Sequence, residues 1–217
     1  MISALEKYLI EHSTPQSEAL ALTERRTNIH TNYPRMLSGA VQGRLLTMLV
    51  ELSGARDILE IGSFTGYSTT CLAYGLQTNG GGHIDALEIN DELEELMRVG
   101  WREAGVEDFI TLRIADARET LKALAESGHT YDLVFIDANK REYCEYYGYA
   151  IEMLRPGGLI IADDVLWDGK VYSDPVPRDK QTMGLVSFND LAVRDPRVEV
   201  VILPLRDGIS LIRKKQA

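Results

Sequence analysis

Cysteine is scarce in this 217-residue chain, with two residues, Cys71 and Cys144, where a metal cluster or a stapled secreted framework would need more. Both fall in stretches of helical composition, so buried free thiols in a reducing compartment are expected. Positive charge is also short. Twenty-three Lys and Arg stand against 33 Asp and Glu, a formal net charge of −10, which disfavours a broad phosphate-binding footprint. Long apolar runs are missing too: nothing approaches the ~20 residues that span a bilayer. The opening MISALEKYLIEHS is broken by charges and reads as an amphipathic helix, not a signal peptide. A cytoplasmic chain that engages no membrane is the expectation. The four histidines, His12, His30, His83 and His129, are scattered without ligand spacing. The glycine turn at Gly62-Ser63-Phe64-Thr65-Gly66 lacks the G-x-G-x-x-G spacing of dinucleotide enzymes, which argues against an oxidoreductase.

What is present points to a single domain over 1–217, with a helical extension at 1–54 and an α/β core at 55–217. Hydrophobic residues make up 45% of the chain, enough to bury a sizeable core. Helices are expected over 2–12 and 17–31, split by STPQ, and over 41–54, where Val41, Leu45, Met48, Leu49 and Leu52 share one face and Gly54 stops the run. From residue 57 the period changes. DILEIG, HIDALEIN, FITLRIAD, YDLVFIDA and GLIIADD are short β-rich runs, separated by helical stretches at 67–77, 91–104, 117–127 and 140–154. Alternation of this kind implies right-handed crossovers and a mostly parallel sheet. A loop is expected over 168–183, then a helix through LVSFNDLAV, then two strands turning at Asp207-Gly208 as an antiparallel edge hairpin. The expected fold is therefore α/β: a Rossmann-like, doubly wound, mostly parallel seven-stranded sheet with that C-terminal hairpin and extra N-terminal helices.

The strands end on acids: Glu60, Glu88, Asp116, Asp137 and the pair Asp163-Asp164. One such acid is commonly the cap of the next helix. Five successive strand ends crowd negative charge along one rim, where open α/β sheets bind ligands, and the rim then calls for a cation or for sugar hydroxyls. An acid-lined glycine turn suits a cofactor with cationic groups and no pyrophosphate. S-adenosylmethionine carries an ammonium and a sulfonium, and Glu88 at the second strand end is positioned to accept hydrogen bonds from its ribose.

These residues resemble a known family. LEIGSFTGYS, ALEIN, FIDANKREYCEYY, LRPGGLIIADDVLWDG, FNDLAVRDPRVEVVILP and DGISLIRK, in that order and spacing, are similar to the class I S-adenosylmethionine-dependent O-methyltransferases, in the cation-dependent group of the caffeoyl-CoA and catechol enzymes. The resemblance runs from about Met36 to Arg213. It implies that Ser38, Glu60, Gly62, Ser68, Glu88, Ala117 and Asp137 contact S-adenosylmethionine, with Met36 nearby. Asp137, Asp163 and Asp164 match the ligands of a divalent cation, most simply Mg²⁺, with Mn²⁺ or Ca²⁺ as alternatives. Lys140 matches the general base, acting beside Asp137. Trp167, Asp168 and Asp207 would border the acceptor, and a homodimer is implied.

Three departures from the family pattern mark this chain. The family usually has Asp-Asn where Asp163-Asp164 stands, Asn139 stands where plant members carry Asp, and Asp168 replaces an asparagine of the plant members. The implied activity is methyl transfer to a hydroxyl of a small catechol-like or hydroxycinnamoyl acceptor. Two alternatives stay open: methylation of a hydroxyuridine in tRNA, for which Arg25, Arg26, Arg35 and Arg44 could form a basic patch, and a non-catalytic cofactor-binding protein. The tyrosines of REYCEYYGY cannot all share one helix face and read mostly as packing or dimer contacts.

Overall fold

A computed structural model describes residues 4–216; positions 2 and 3 of the expected first helix lie outside them. Seven strands are present among the described residues: β1 Asp57–Ile61, β2 His83–Glu88, β3 Ile110–Ile114, β4 Tyr131–Ile136, β5 Leu154–Ala162, β6 Val198–Leu203 and β7 Ile209–Lys214. They form one sheet in the order β3-β2-β1-β4-β5-β7-β6. β1 pairs with β4 and β4 with β5 in parallel, while β7 runs antiparallel to both β5 and β6. This is the expected mixed sheet with its hairpin edge. The central strand β4, YDLVFI, is buried along nearly its whole length, as a parallel strand covered on both faces must be.

Eight helices accompany it among the described residues: α1 Ala4–Glu11, α2 Glu18–His30, α3 Gly39–Ser53, α4 Tyr67–Thr78, α5 Glu94–Ala104, α6 Ala117–Glu126, α7 Tyr143–Met153 and α8 Lys180–Arg194. None is long and apolar enough to cross a membrane. The chain falls into two compact units. The first comprises Met1–Ala55, Ser63–Ile84 and Asn90–Thr111; the second comprises Arg56–Gly62, Asp85–Ile89 and Leu112–Ala217.

Within the first unit the buried face of α3 is not the one expected. Gln42, Gly43, Leu46, Thr47 and Val50 are buried, whereas Met48 and Leu52 are exposed. The reason is a close helix contact: Thr47 Oγ1 donates to the Cys71 carbonyl at 2.8 Å, and a Cβ on Gly75 would lie 2.5 Å from that of Val50. Small and polar residues let α3 and α4 approach in a way that larger apolar ones could not. In the same unit Trp101 Nε1 donates to the Gly66 carbonyl at 3.2 Å, fixing the glycine turn that opens α4.

The second unit holds a continuous apolar core in which α6, α7 and α8 pack on β1, β4 and β5. Tyr143 and Tyr147 of α7 meet Phe188 of α8 edge-on, at 5.4 and 5.9 Å between ring centres. Such pairs add about 0.5–1.5 kcal/mol beyond burial, and they brace α8 against the start of α7. Two boundaries differ most from expectation. β5 begins at Leu154, directly after α7, instead of at Gly158. α8 begins at Lys180, inside the expected loop, because Asp179 caps it by accepting from the Thr182 amide and hydroxyl.

Candidate active site

The strand order reverses between β1 and β4, the place where open α/β sheets bind ligands at their carboxyl ends. Backbone pairing continues past the strands. Gly62 N donates to Leu87 O at 3.0 Å, Asp137 N to Ile61 O at 2.9 Å, and Asp163 N to Ile136 O at 2.9 Å. The exits of four strands are thus laced side by side. Gly62 has φ +95°, and a Cβ there would sit 2.3 Å from the Asp137 carbonyl oxygen. Only glycine fits this crossing.

Beyond it, β4 runs into Asp137 and a single 3-10 turn, Lys140–Glu142, capped by Asn139. Lys140 is buried, and its Nζ lies 2.7 Å from Asp137 Oδ1 and 2.9 Å from Asp164 Oδ2. It also donates to the Tyr143 hydroxyl at 2.9 Å, which in turn donates to the Asp163 carbonyl at 2.9 Å. Burial alone would lower the Lys140 pKa. The negative partners Asp137 and Asp164 outweigh it, so the ammonium is held well above the usual lysine range. Burial pushes the Asp137 carboxyl up, with Lys140 opposing the shift and Asp164 adding to it. Burial likewise keeps the Tyr143 phenol protonated.

The loop after β5 is strained. Asp164, Trp167 and Asp168 have φ values of 58°, 47° and 53°, a region that costs non-glycine residues about 1–2 kcal/mol each. The second unit holds it in place: Val165 N donates to Gly208 O at 3.1 Å, Leu166 N to Asp207 O at 2.7 Å, and Asn189 Nδ2 to Val165 O at 2.9 Å. The Trp167 indole N–H is buried without a hydrogen-bond partner among the described residues. Strain and an orphaned donor in one loop are the marks of a segment shaped for something other than stability.

The structure brings Asp137, Lys140, Asp163 and Asp164 together, and ties the Trp167-Asp168 loop to Asp207 through the backbone. The other expected residues stand as follows. Glu60 is not at the tip of β1 but inside it, fully buried and opposite Phe135. Glu88 ends β2, half-buried, with Oε1 accepting from Ile89 N at 2.9 Å. Ala117 opens α6, behind Asp116, whose carboxylate accepts from Arg118 N and so acts as the helix cap. Ser38 and Ser68 belong to the first unit, both buried, just before α3 and in the first turn of α4; Met36 is exposed.

Carboxylate oxygens have the chemistry a hard divalent ion takes. Asp137 and Asp164 fit one cation, because a single nitrogen already spans them. The expected set of three is not formed in this arrangement. Asp163 Oδ1 accepts the Asp164 amide at 2.8 Å, and no group of three or more His, Cys, Asp or Glu stands ready for a metal among the described residues. For S-adenosylmethionine the glycine crossing at Gly62, with the Glu88 carboxylate at the neighbouring strand end, gives a fitting cradle.

A family model described as O-methyltransferase matches residues 10–215. The chain belongs to this family. It is 37% identical to a caffeoyl-CoA O-methyltransferase of Eucalyptus gunnii, with 98% of this chain and 88% of the relative covered. It is 35% identical to the mouse catechol O-methyltransferase domain-containing protein 1, with 97% of this chain and 79% of the relative covered. Among solved structures, an O-methyltransferase of Bacillus cereus in complex with SAH superposes with a TM-score of 0.91 at 30% identity, covering 99% of this chain and 98% of the other. The S-adenosylmethionine-dependent O-methyltransferase expected from the motifs is therefore the enzyme class of the chain.

Two residues that hold the Lys140 turn were missed by sequence reasoning. Tyr143, read as packing, holds Lys140 through its hydroxyl; the Lys140-x-x-Tyr143 spacing at a helix start was the available signal. Gly184 of α8 lies against the Lys140 turn, where a Cβ would come within 2.4 Å of the Lys140 carbonyl oxygen. Nothing in the local sequence of α8 signals that approach.

Proposed function

We propose that the enzyme transfers the methyl group of S-adenosylmethionine to one hydroxyl of a small acceptor with two vicinal oxygens, a catechol-like or hydroxycinnamoyl compound, with help from a divalent cation. The observation that carries this reading is the cluster of Asp137, Lys140 and Asp164 at the switch point, a charged and partly buried spot where a hydroxyl can be oriented and deprotonated. The cation, Mg²⁺ in the simplest case, would be held by Asp137, Asp163 and Asp164, and when bound it supplies a Lewis acid and a template for the two oxygens. Asp163, whose Oδ1 accepts the Asp164 amide, would add a carboxylate oxygen to that set.

The chain's own residues do the rest. Gly62, Glu60 and Asp137 shape the cofactor cradle, Glu88 holds the ribose hydroxyls and Ala117 borders the adenine, with Ser38 and Ser68 as further contacts. Trp167, Asp168 and Asp207 border the acceptor, and the unpartnered indole N–H is a donor available to it. Lys140 Nζ takes the acceptor's proton. Because the ammonium is held protonated by Asp137 and Asp164, it must first leave that ion pair and give one proton to solvent, and only then can its free amine take the acceptor's. In this reading the whole chain works as one cytoplasmic domain and pairs as a homodimer.

The test is a transfer assay over catechols, hydroxycinnamoyl thioesters and tRNA. Transfer to a catechol or hydroxycinnamoyl acceptor is expected to stop in EDTA and return with Mg²⁺; full activity after verified metal removal would reject cation dependence. Transfer to tRNA alone, falling steeply with salt, would reject the acceptor class. A second outcome concerns the cofactor. Glu88→Ala should weaken S-adenosylmethionine binding by about 1.5–3 kcal/mol, roughly ten- to a hundredfold, through lost charge-assisted hydrogen bonds. Calorimetry showing wild-type affinity would remove Glu88 from the site.

A further inference from the structure

The Lys140 ammonium bridges two of the carboxylates proposed to hold the cation. One buried nitrogen lies within hydrogen-bond distance of Asp137 Oδ1 and Asp164 Oδ2, at 2.7 and 2.9 Å. Its third contact, the Tyr143 hydroxyl at 2.9 Å, is a neutral dipole that accepts from it. All the donor capacity of an ammonium is used. The turn that carries it is fixed from outside by α8, where Gly184 allows contact with the Lys140 backbone. Tyr143 is fixed in turn by the Asp163 carbonyl and by Phe188. This is a built position, not a side chain that happens to drift near two acids.

A divalent ion binds carboxylate oxygens at about 2.0–2.6 Å. Asp137 Oδ1 and Asp164 Oδ2 are not open to it while Nζ holds them, and two positive charges in contact repel. We propose that Lys140 is the resident counter-cation of this site, and that a divalent cation enters only by displacing its ammonium from Asp137 and Asp164. The inference rests on the reading that the site takes a divalent cation. It adds that metal affinity is set by competition within the chain. Entry of the cation then releases Lys140 from its carboxylates, so that occupancy of the site and freedom of the lysine are linked. The carboxylate of Asp164 gives the ammonium its second anionic partner, so the departure at this position strengthens the competitor as well as the ligand set.

The direct test is Mn²⁺ binding, followed by the paramagnetic resonance of the free ion, to metal-stripped wild type, Lys140→Met and Lys140→Arg. Methionine keeps the shape of the stem without the charge, and arginine keeps the charge. Lys140→Met should bind Mn²⁺ at least about tenfold more tightly than wild type, about 1.4 kcal/mol, and Lys140→Arg should stay near wild type. Equal or weaker binding by Lys140→Met, with wild type binding normally, overturns the displacement and leaves cation dependence standing. No binding by any of the three, at millimolar ion and with folded protein by circular dichroism, overturns both.

Because Lys140→Met leaves two carboxylates without their partner and can cost stability, a second measurement uses wild type alone. Acetylation of Lys140 by an amine-reactive reagent, read by peptide mass spectrometry, should rise several-fold when Mg²⁺ replaces EDTA. Labelling that stays constant or falls on adding Mg²⁺ overturns the proposal.

Discussion

Gly62→Ala is expected to destabilise the protein by about 3 kcal/mol or more, a fall in Tm of roughly 6–12 °C for a chain of this size. Two effects combine. The residue has φ +95°, and such a conformation costs an L side chain about 1–2 kcal/mol. The new methyl carbon would also lie 2.3 Å from the Asp137 carbonyl oxygen. That oxygen is backbone and cannot swing aside, since the Asp137 amide is bonded to Ile61 and the Gly62 amide to Leu87. Relief requires moving the exits of β1 and β4 apart, an overpacking cost of about 1–3 kcal/mol. Gly54→Ala is the internal control: it has φ +64° but nothing within 4 Å of the added Cβ, so it carries the conformational term alone. Thermal melts of the two variants separate the contributions. If Gly62→Ala melts no lower than Gly54→Ala, the close crossing of β1 and β4 is wrong. Under the proposed cofactor role, S-adenosylmethionine affinity should fall in Gly62→Ala and stay unchanged in Gly54→Ala.

The contrast between these glycines shows what a sequence discloses. The parallel core was legible because strands covered on both faces must be written as apolar runs such as LVFI, and the hairpin because Asp-Gly between two such runs has few other uses. The chemistry of the strand ends was legible in kind but not in placement. Asp116 and Asp137 look alike in sequence, each an acid just after an apolar run. Asp116 turns out to cap α6 because Arg118 follows two residues later and offers both its amide and its guanidinium. Asp137 is turned instead toward a lysine one helical turn on. Glu60 was placed at a tip, yet it lies one residue inside the strand, because the end of β1 is set by its pairing with β4. The face of α3 was misread for a similar reason. Apolar periodicity assumes that the largest side chains meet the core, whereas the contact with α4 selects small ones. Where a neighbour decides the outcome, the residues of one segment do not contain it.

The remaining large effect separates the two roles proposed for Lys140. Lys140→Ala should lower turnover by about 10²–10⁴-fold, the usual contribution of a positioned general base, with cofactor affinity near wild type. It should also destabilise the fold, because it strands Asp137 and Asp164 next to each other and leaves Tyr143 without its donor. Breaking a buried ion pair costs about 3–5 kcal/mol; the Asp164 side chain keeps 31% of its surface exposed, so the lower end applies. Loss of activity in the alanine variant therefore has two readings, a missing base or a disturbed site. Lys140→Arg divides them. A guanidinium keeps the positive charge and can bond carboxylates, so part of the stability lost in Lys140→Ala should return. It cannot give up its proton in a protein, so turnover should remain as low as in Lys140→Ala. Single-turnover measurements from pH 6 to 9 with saturating Mg²⁺ make the comparison on the chemical step. Turnover of Lys140→Arg within a few-fold of wild type would show that the site needs only the charge at this position, and that the acceptor's proton leaves by another route.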